Sequence, residues 1–284
     1  MANVAAADAA RRAPFGLLRQ QGARSRVRHE LPGPRRVAVV GGCPGTGRTT
    51  TALGLGDALA VHRSDKVLAL EAAPLARDLG FRAGGPGPYN AGHVMAAYEH
   101  YGRYGAPRPP AWDRPSGLHV LSADDRADSR YVMGADAYRW MSELLGRHYA
   151  ITLTDTPADM GLDVMAGVLP AAHSLIITAR ATVPSASSAV DLWRNLATAG
   201  YRLLVRESVL VVHLVAPGTA GALSFAEIRD AFAPKVRDIV PVPWDAHLAE
   251  GGPLLFDRLA EPTRAALLTL AATTVGGLQP SSSR

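Results

Sequence analysis

The chain has 284 residues, 48% of them hydrophobic and 19% charged. That excludes a wholly disordered or fibrous chain and leaves one large domain or two small ones. The formal charge of +5 is uneven: residues 1–36 hold eight arginines against Asp8 and Glu30, and the rest carries 22 basic against 23 acidic residues, so the body is not a basic domain of the kind that wraps nucleic acid.

Residues 1–34 lack apolar periodicity and end in Leu31-Pro32-Gly33-Pro34, which predicts a flexible, arginine-rich arm. Such an arm suits DNA, an acidic protein or an acidic membrane surface, and equally a solvated tail with no partner. An ordered body is expected over 35–275 and a frayed tail over 276–284. Val37–Val40 is a short, wholly apolar run, as in a strand covered on both faces. A glycine-rich loop follows, then a helix from about Thr50 to Val61 and a second strand at Val67–Leu70. Residues 80–117 are rich in glycine and proline, with a short helical piece near Ala91–Tyr101.

Further strands are expected at Leu118–Leu121, Ala150–Thr154, Leu175–Thr178, Val209–Leu214 and Val236–Val240. Helices are expected at Asp136–Leu145, Ser185–Ala199, Ser224–Phe232 and Pro262–Thr273. This alternation predicts an α/β fold, a mostly parallel sheet with helices on both faces. No run of about 18 apolar residues occurs, so no membrane-spanning helix is expected. The N-terminus has no continuous apolar core before a small-residue site, so no secretory leader is expected. The single cysteine, Cys43, cannot form an internal disulfide, which suits a reducing, cytoplasmic setting.

The chemistry concentrates in Gly42-Cys43-Pro44-Gly45-Thr46-Gly47-Arg48-Thr49-Thr50. It matches G-x-x-x-x-G-K-[ST] except for arginine in place of the lysine, and it joins an apolar strand to a helix. Glycines let successive N–H groups turn inward onto phosphate oxygens, the helix N-terminus adds partial positive charge, the Thr49 hydroxyl suits Mg²⁺ and the Arg48 cation suits phosphate. An ordinary glycine-rich strand–helix turn is the plain alternative. Asp155 closes an apolar strand, where an acid can hold Mg²⁺ through water or cap a turn. The remaining histidines show no H-x-x-x-H or H-E-x-x-H spacing, and no G-x-S-x-G occurs, so neither a zinc site nor a serine triad is expected.

From Arg36 to Leu270 the chain resembles the ParA/MinD family of deviant P-loop ATPases. Its loop resembles K-G-G-x-G-K-T-T, with Cys43 to Thr50 in those places. Lys66–Glu71 followed by Pro74 resembles the family's V-L-L-I-D-x-D-P strand, and Tyr149–Pro157 resembles Y-D-x-I-I-I-D-T-P. Val240–Asp245 with Ala249–Leu254 resembles the late I-P-x-D…A-x-x-x-G-x-P-L stretch. The resemblance implies binding of ATP or ADP with Mg²⁺, with Arg48, Glu71 and Asp155 as the catalytic set and Thr49 and Asp155 at the metal. It implies nucleotide contacts from Gly42, Cys43, Pro44, Gly45, Thr46, Gly47, Arg48, Thr49, Thr50, His213, Pro241 and Pro243. It further implies a protein partner or a homodimer, and a role in positioning or regulating a larger assembly such as a partition or secretion system.

The departures fall on chemical positions. The family's signature lysine is Cys43 and its loop lysine is Arg48, a planar and bulkier cation. Of the family's two acids after the second strand one survives as Glu71 and the other is replaced by Ala73, and His213 holds the place of the asparagine that reads adenine. Phosphoryl transfer depends on positioning and charge, whereas the loop binds phosphate through backbone N–H groups. Weak or absent hydrolysis with retained binding is therefore expected. A nucleotide-independent pseudo-ATPase scaffold paired with an active relative is one alternative. A small-molecule ligase or kinase on the same fold, with a second pocket near residues 81–130, is another. Cys43 is a candidate redox-sensitive thiol or simply a small residue filling the loop.

Overall fold

A computed structural model describes residues 20–73, 78–85, 87–96, 111–123 and 132–279. Eight strands form one sheet in the order β3-β4-β2-β5-β1-β6-β7-β8. They are β1 (Arg35–Gly41), β2 (Val67–Glu71), β3 (Trp112–Asp113), β4 (His119–Leu121), β5 (Ile151–Asp155), β6 (Ser174–Arg180), β7 (Val209–His213) and β8 (Asp238–Val242). All neighbours pair in parallel except β3 with β4. This is the α/β architecture the alternation predicts.

The central strands are apolar throughout because helices cover both faces. On one face, β1, β2, β5 and β6 present Val37, Val39, Val67, Ala69, Ile151, Leu153 and Ile176. These pack beneath the helix at 20–27 (α1), α2 (Arg48–His62) and α11 (Glu261–Leu278). The other face presents Ala38, Val40, Leu68, Leu70, Leu175 and Ile177 to α5 (Ala135–Gly146), α6 (Met165–Ala171) and α7 (Val183–Leu196). The remaining helices are α3 (Asp78–Ala83), a turn-length α4 at 91–96, α8 (Arg202–Arg206), α9 (Phe225–Phe232) and α10 (Ala246–Ala249).

Part of the expected arm is ordered. In α1, Ala23 and Val27 lie one helical turn apart and are buried in the core that α2 and α11 share, and Arg63 donates to the Val27 and His29 carbonyls. Two small apolar residues among arginines are too weak a stripe to read from sequence. Arg11, Arg12 and Arg19 of the arm lie outside the described residues, as do Pro74 and parts of the 80–130 excursion. The expected C-terminal tail is shorter too, since α11 continues to Leu278 with Val275 and Leu278 buried. The helix expected over 185–199 breaks earlier, at a π-turn over Ala197–Tyr201 where Gly200 takes φ +98°. The last strand falls two residues later than expected and contains Pro241. It is an edge strand, so the missing N–H costs no ladder bond.

Candidate functional site

The loop Gly42–Thr49 leaves β1 and opens α2 at the carboxyl edge of the sheet, where parallel strands present ligand sites. β5 and β6 flank β1, so Asp155 and Thr178 end beside it. Gly45 (φ +75°) and Gly47 (φ +93°) take left-handed conformations that a side chain would strain, and Gly47 caps α2. A Cβ at Gly42 would come within 2.2 Å of the Ser188 carbonyl oxygen on α7, and one at Gly47 within 2.6 Å of the His213 ring. Glycine at both places is thus dictated by packing. Thr46 is buried, and its hydroxyl meets that of Thr178 at 2.8 Å, pinning the loop to β6. Pro44 and Gly45 form the exposed crest.

The Arg48 side chain turns back into its own loop. Its Nη1 donates to the Cys43 carbonyl at 2.9 Å, while its buried Nε has no partner. Burial pulls its pKa below the ordinary value, with Asp155 and Cys43 pulling the other way. Cys43 is half-buried and accepts from the Ser188 hydroxyl at 3.2 Å. Thr50 accepts from Arg82 at 3.3 Å, and Arg82 also holds the Gly252 carbonyl at 2.7 Å.

The Thr49 hydroxyl donates to Asp155 Oδ2 at 2.7 Å. Asp155 is buried, and its second oxygen, Oδ1, has no partner. Burial pushes its pKa up to about 7, opposed by the Thr49 hydrogen bond and reinforced by the neighbouring charge of Glu71. A buried carboxylate with one orphaned oxygen beside a threonine hydroxyl fits Mg²⁺, which takes one or two protein oxygens and completes its shell with phosphate and water. The residues present therefore fit the metal that the loop implies.

Glu71, the third member of the expected catalytic set, is held by backbone amides. It pairs with Asp155 across β2 and β5, but Oε1 accepts from the Leu79 N–H at 3.0 Å and Oε2 from the Ala123 N–H at 2.9 Å. Burial raises its pKa and these two amides lower it. Each oxygen thus helps tie α3 and the segment after β4 to the sheet.

His213 ends β7 and closes the far side of the loop, with Nε2 and the Thr51 hydroxyl 2.8 Å apart. Burial, then the charge of Arg180, holds it down to about pKa 4, so its imidazole is neutral at physiological pH. Beside it lies a cleft of about 340 Å³ lined by Gly45, Thr46, Gly47, Thr50, Arg180, His213, Pro243 and Trp244, among others. The expected Pro243 lines it. Pro241 sits within β8 opposite Val212 and is not among the lining residues. Trp244 keeps 49% of its surface exposed. Asp245, on the cleft's floor, is committed: Oδ1 accepts from the N–H of His247 and Leu248, and Oδ2 from that of Ala260.

Sequence reasoning gave no role to Thr178, Ser188 or Arg180. Thr178 and Arg180 carry the same signal as Asp155, a polar residue at the carboxyl end of an apolar parallel strand. Ser188 carries none, because it meets the loop only through the packing of α7 against it.

No protein-family model matches the chain. Among curated proteins it is 28% identical over 253 residues to the ESX-1 secretion-associated protein EspI of Mycobacterium tuberculosis. The match covers 87% of this chain, which spans 37% of that relative's length. Among solved structures, the cell division ATPase MinD of Pyrococcus furiosus superposes with a TM-score of 0.64 at 18% identity, covering 84% of this chain and 98% of that one. The MinC:MinD cell division protein complex of Aquifex aeolicus gives 0.64 at 22% identity, covering 88% and 98%. A ParA family ATPase from Chlorobium tepidum gives 0.66 at 13% identity, covering 84% and 98%. The chain has the fold of the ParA/MinD P-loop ATPases.

Proposed function

We propose that this chain binds ATP or ADP with Mg²⁺ at the loop Gly42–Thr50 and serves to position or regulate a larger assembly, with weak or absent hydrolysis. The observation that carries the reading is the Thr49–Asp155 pair. Its orphaned Oδ1 and its donor hydroxyl stand at the root of a loop in which Gly45 and Gly47 take left-handed conformations. Bound there, Mg²⁺ would neutralise phosphate charge and fix the nucleotide's orientation. Thr49 and Asp155 would hold the metal, the loop N–H groups would bind phosphate, and Arg48 would swing from the Cys43 carbonyl onto it. The cleft beside His213, Pro243 and Trp244 would take the base and ribose.

Slow chemistry follows from Glu71 and Cys43. Glu71, the acid in register with Asp155, is held in place by two backbone amides, and the loop position that carries a lysine in ParA/MinD-like loops is uncharged here. The secretion-associated relative supports a secretion system as the assembly, and the complexes of MinD-like neighbours support a protein partner or a homodimer. The arginines of residues 1–36 supply a contact for an acidic partner or DNA. No described helix is long and apolar enough to cross a membrane. With the single cysteine, this supports a cytoplasmic setting.

Phosphate release under saturating Mg-ATP tests the hydrolysis part. Release is expected at or near the buffer background; turnover at an ordinary ATPase rate, abolished by Thr49→Ala, would overturn it. One observation favours a nucleotide-independent scaffold instead: Arg48 is already engaged with the Cys43 carbonyl of its own loop. That alternative predicts the same dimer or complex with and without Mg-ATP.

A further inference from the structure

We propose that Arg180 is a second phosphate-binding cation of this site, reaching the nucleotide's phosphate chain from the β6 side of the cleft. The inference rests on the nucleotide reading above.

The pleat places it. Along β6, Ile176 points into the α2 face of the core and Thr178 meets the loop hydroxyl of Thr46, so Arg180, two residues on, projects from the same face. It stands in register with His213, which packs against Gly47. Arg180 and His213 therefore flank the loop together, and Arg180 lines the cleft with Gly45, Thr46 and Gly47.

The chemistry then separates Arg180 from the other cations near the loop. Arg48 is engaged with the Cys43 carbonyl, and Arg82 with Thr50 and the Gly252 carbonyl. The Arg180 guanidinium is exposed and has no hydrogen-bond or ion-pair partner among the described residues, while its backbone N–H is fixed by the Ser185 hydroxyl at 2.9 Å. A rigid anchor, a free five-donor head and a cleft lined by phosphate-loop glycines match a dense array of oxygen acceptors. His213 is neutral, and Asp245, which lines the same cleft and keeps its negative charge, has its oxygens turned to three backbone amides, not to the Arg180 guanidinium.

Calorimetric titration of the full chain with Mg-ADP and Mg-ATP tests this at low and high KCl. Arg180→Ala is compared with Arg180→Lys and with Arg202→Ala, an exposed cation on α8 that makes the same change in net charge. Arg180→Ala should weaken binding roughly tenfold at low salt and flatten the loss of affinity with added KCl, because an ionic contact is screened. Arg180→Lys should recover most of the affinity, and Arg202→Ala should leave it intact. Equal affinity for Arg180→Ala and the unaltered chain would overturn the assignment, as would a loss of the same size at both salt concentrations, which marks a non-ionic contact with base or ribose. If the unaltered chain binds neither nucleotide, it is the nucleotide reading that fails.

Discussion

Replacing Asp155 with asparagine tests the electrostatics of the site without any ligand. In the folded chain the carboxyl is pushed from an ordinary 3.8 to about 7, first by burial and then by Glu71. The native state thus holds this proton more tightly than the unfolded chain does. The group's contribution is fully present below pH 3.8 and is lost as pH rises through about 7. At ~1.4 kcal/mol per unit, the loss across that window is on the order of 4 kcal/mol. Asparagine keeps an oxygen for the Thr49 hydroxyl and cannot ionise. Urea unfolding of both proteins at a series of pH values isolates the effect, because every other titrating group is shared. Asp155→Asn should match the unaltered chain near the acid end of the window and exceed its stability by about 3–4 kcal/mol above it. Saturating Mg-ADP should erase most of the unaltered chain's loss, since the metal prefers the ionised carboxylate. Parallel stability curves for the two proteins would refute the assignment of a strained, proton-holding carboxylate at this position.

Other consequences follow from the same geometry. Glu71→Ala leaves the Leu79 and Ala123 amides buried without acceptors, so it should cost about 2–4 kcal/mol in chemical denaturation while leaving Mg-ADP affinity within about twofold; a large loss of affinity with unchanged stability would return the acid to the nucleotide. Arg114→Ala removes the bidentate partner of Asp57, both wholly buried, and should cost about 3–5 kcal/mol, whereas replacing the pair together should cost less. Ser188→Ala should cost stability and nucleotide binding little, because the tightest approach to Gly42 is made by that residue's carbonyl, which the substitution keeps; a large loss of either would mean the hydroxyl's contacts with Cys43 and the Ser185 carbonyl hold the loop. Nucleotide titrated into the protein should quench Trp244 fluorescence if the cleft takes the base; an unaltered spectrum on saturation, with Trp244→Phe as the reference, would place the base elsewhere.

Much of this fold is legible in the sequence because the central strands are buried on both faces. Four-residue apolar runs such as Val37–Val40 and Val67–Leu70 carry that signature without ambiguity, and the loop between strand and helix fixes where the phosphate chemistry sits. What escapes has physical causes. The helix at 20–27 is held by Ala23, Val27 and the reach of Arg63, a tertiary contact that leaves almost no periodicity. Pro241 argues against a strand until β8 is known to be an edge. Glu71 ends the expected second strand, yet its carboxylate is held by the amides of Leu79 and of the distant Ala123, contacts that no local pattern reveals. Arg180 looks like any charged residue ending a strand until the pleat aligns it with Thr178 and His213.

The central claim is that the loop still holds nucleotide although arginine and cysteine stand where lysines are expected. Calorimetric titration of the chain with Mg-ADP tests it most directly, with Gly47→Val as the blocked control, since a side chain there meets the His213 ring. Binding with micromolar affinity in the unaltered chain, lost in a Gly47→Val protein that still unfolds cooperatively, is the predicted result. No heat of binding at millimolar Mg-ADP or Mg-ATP would contradict it.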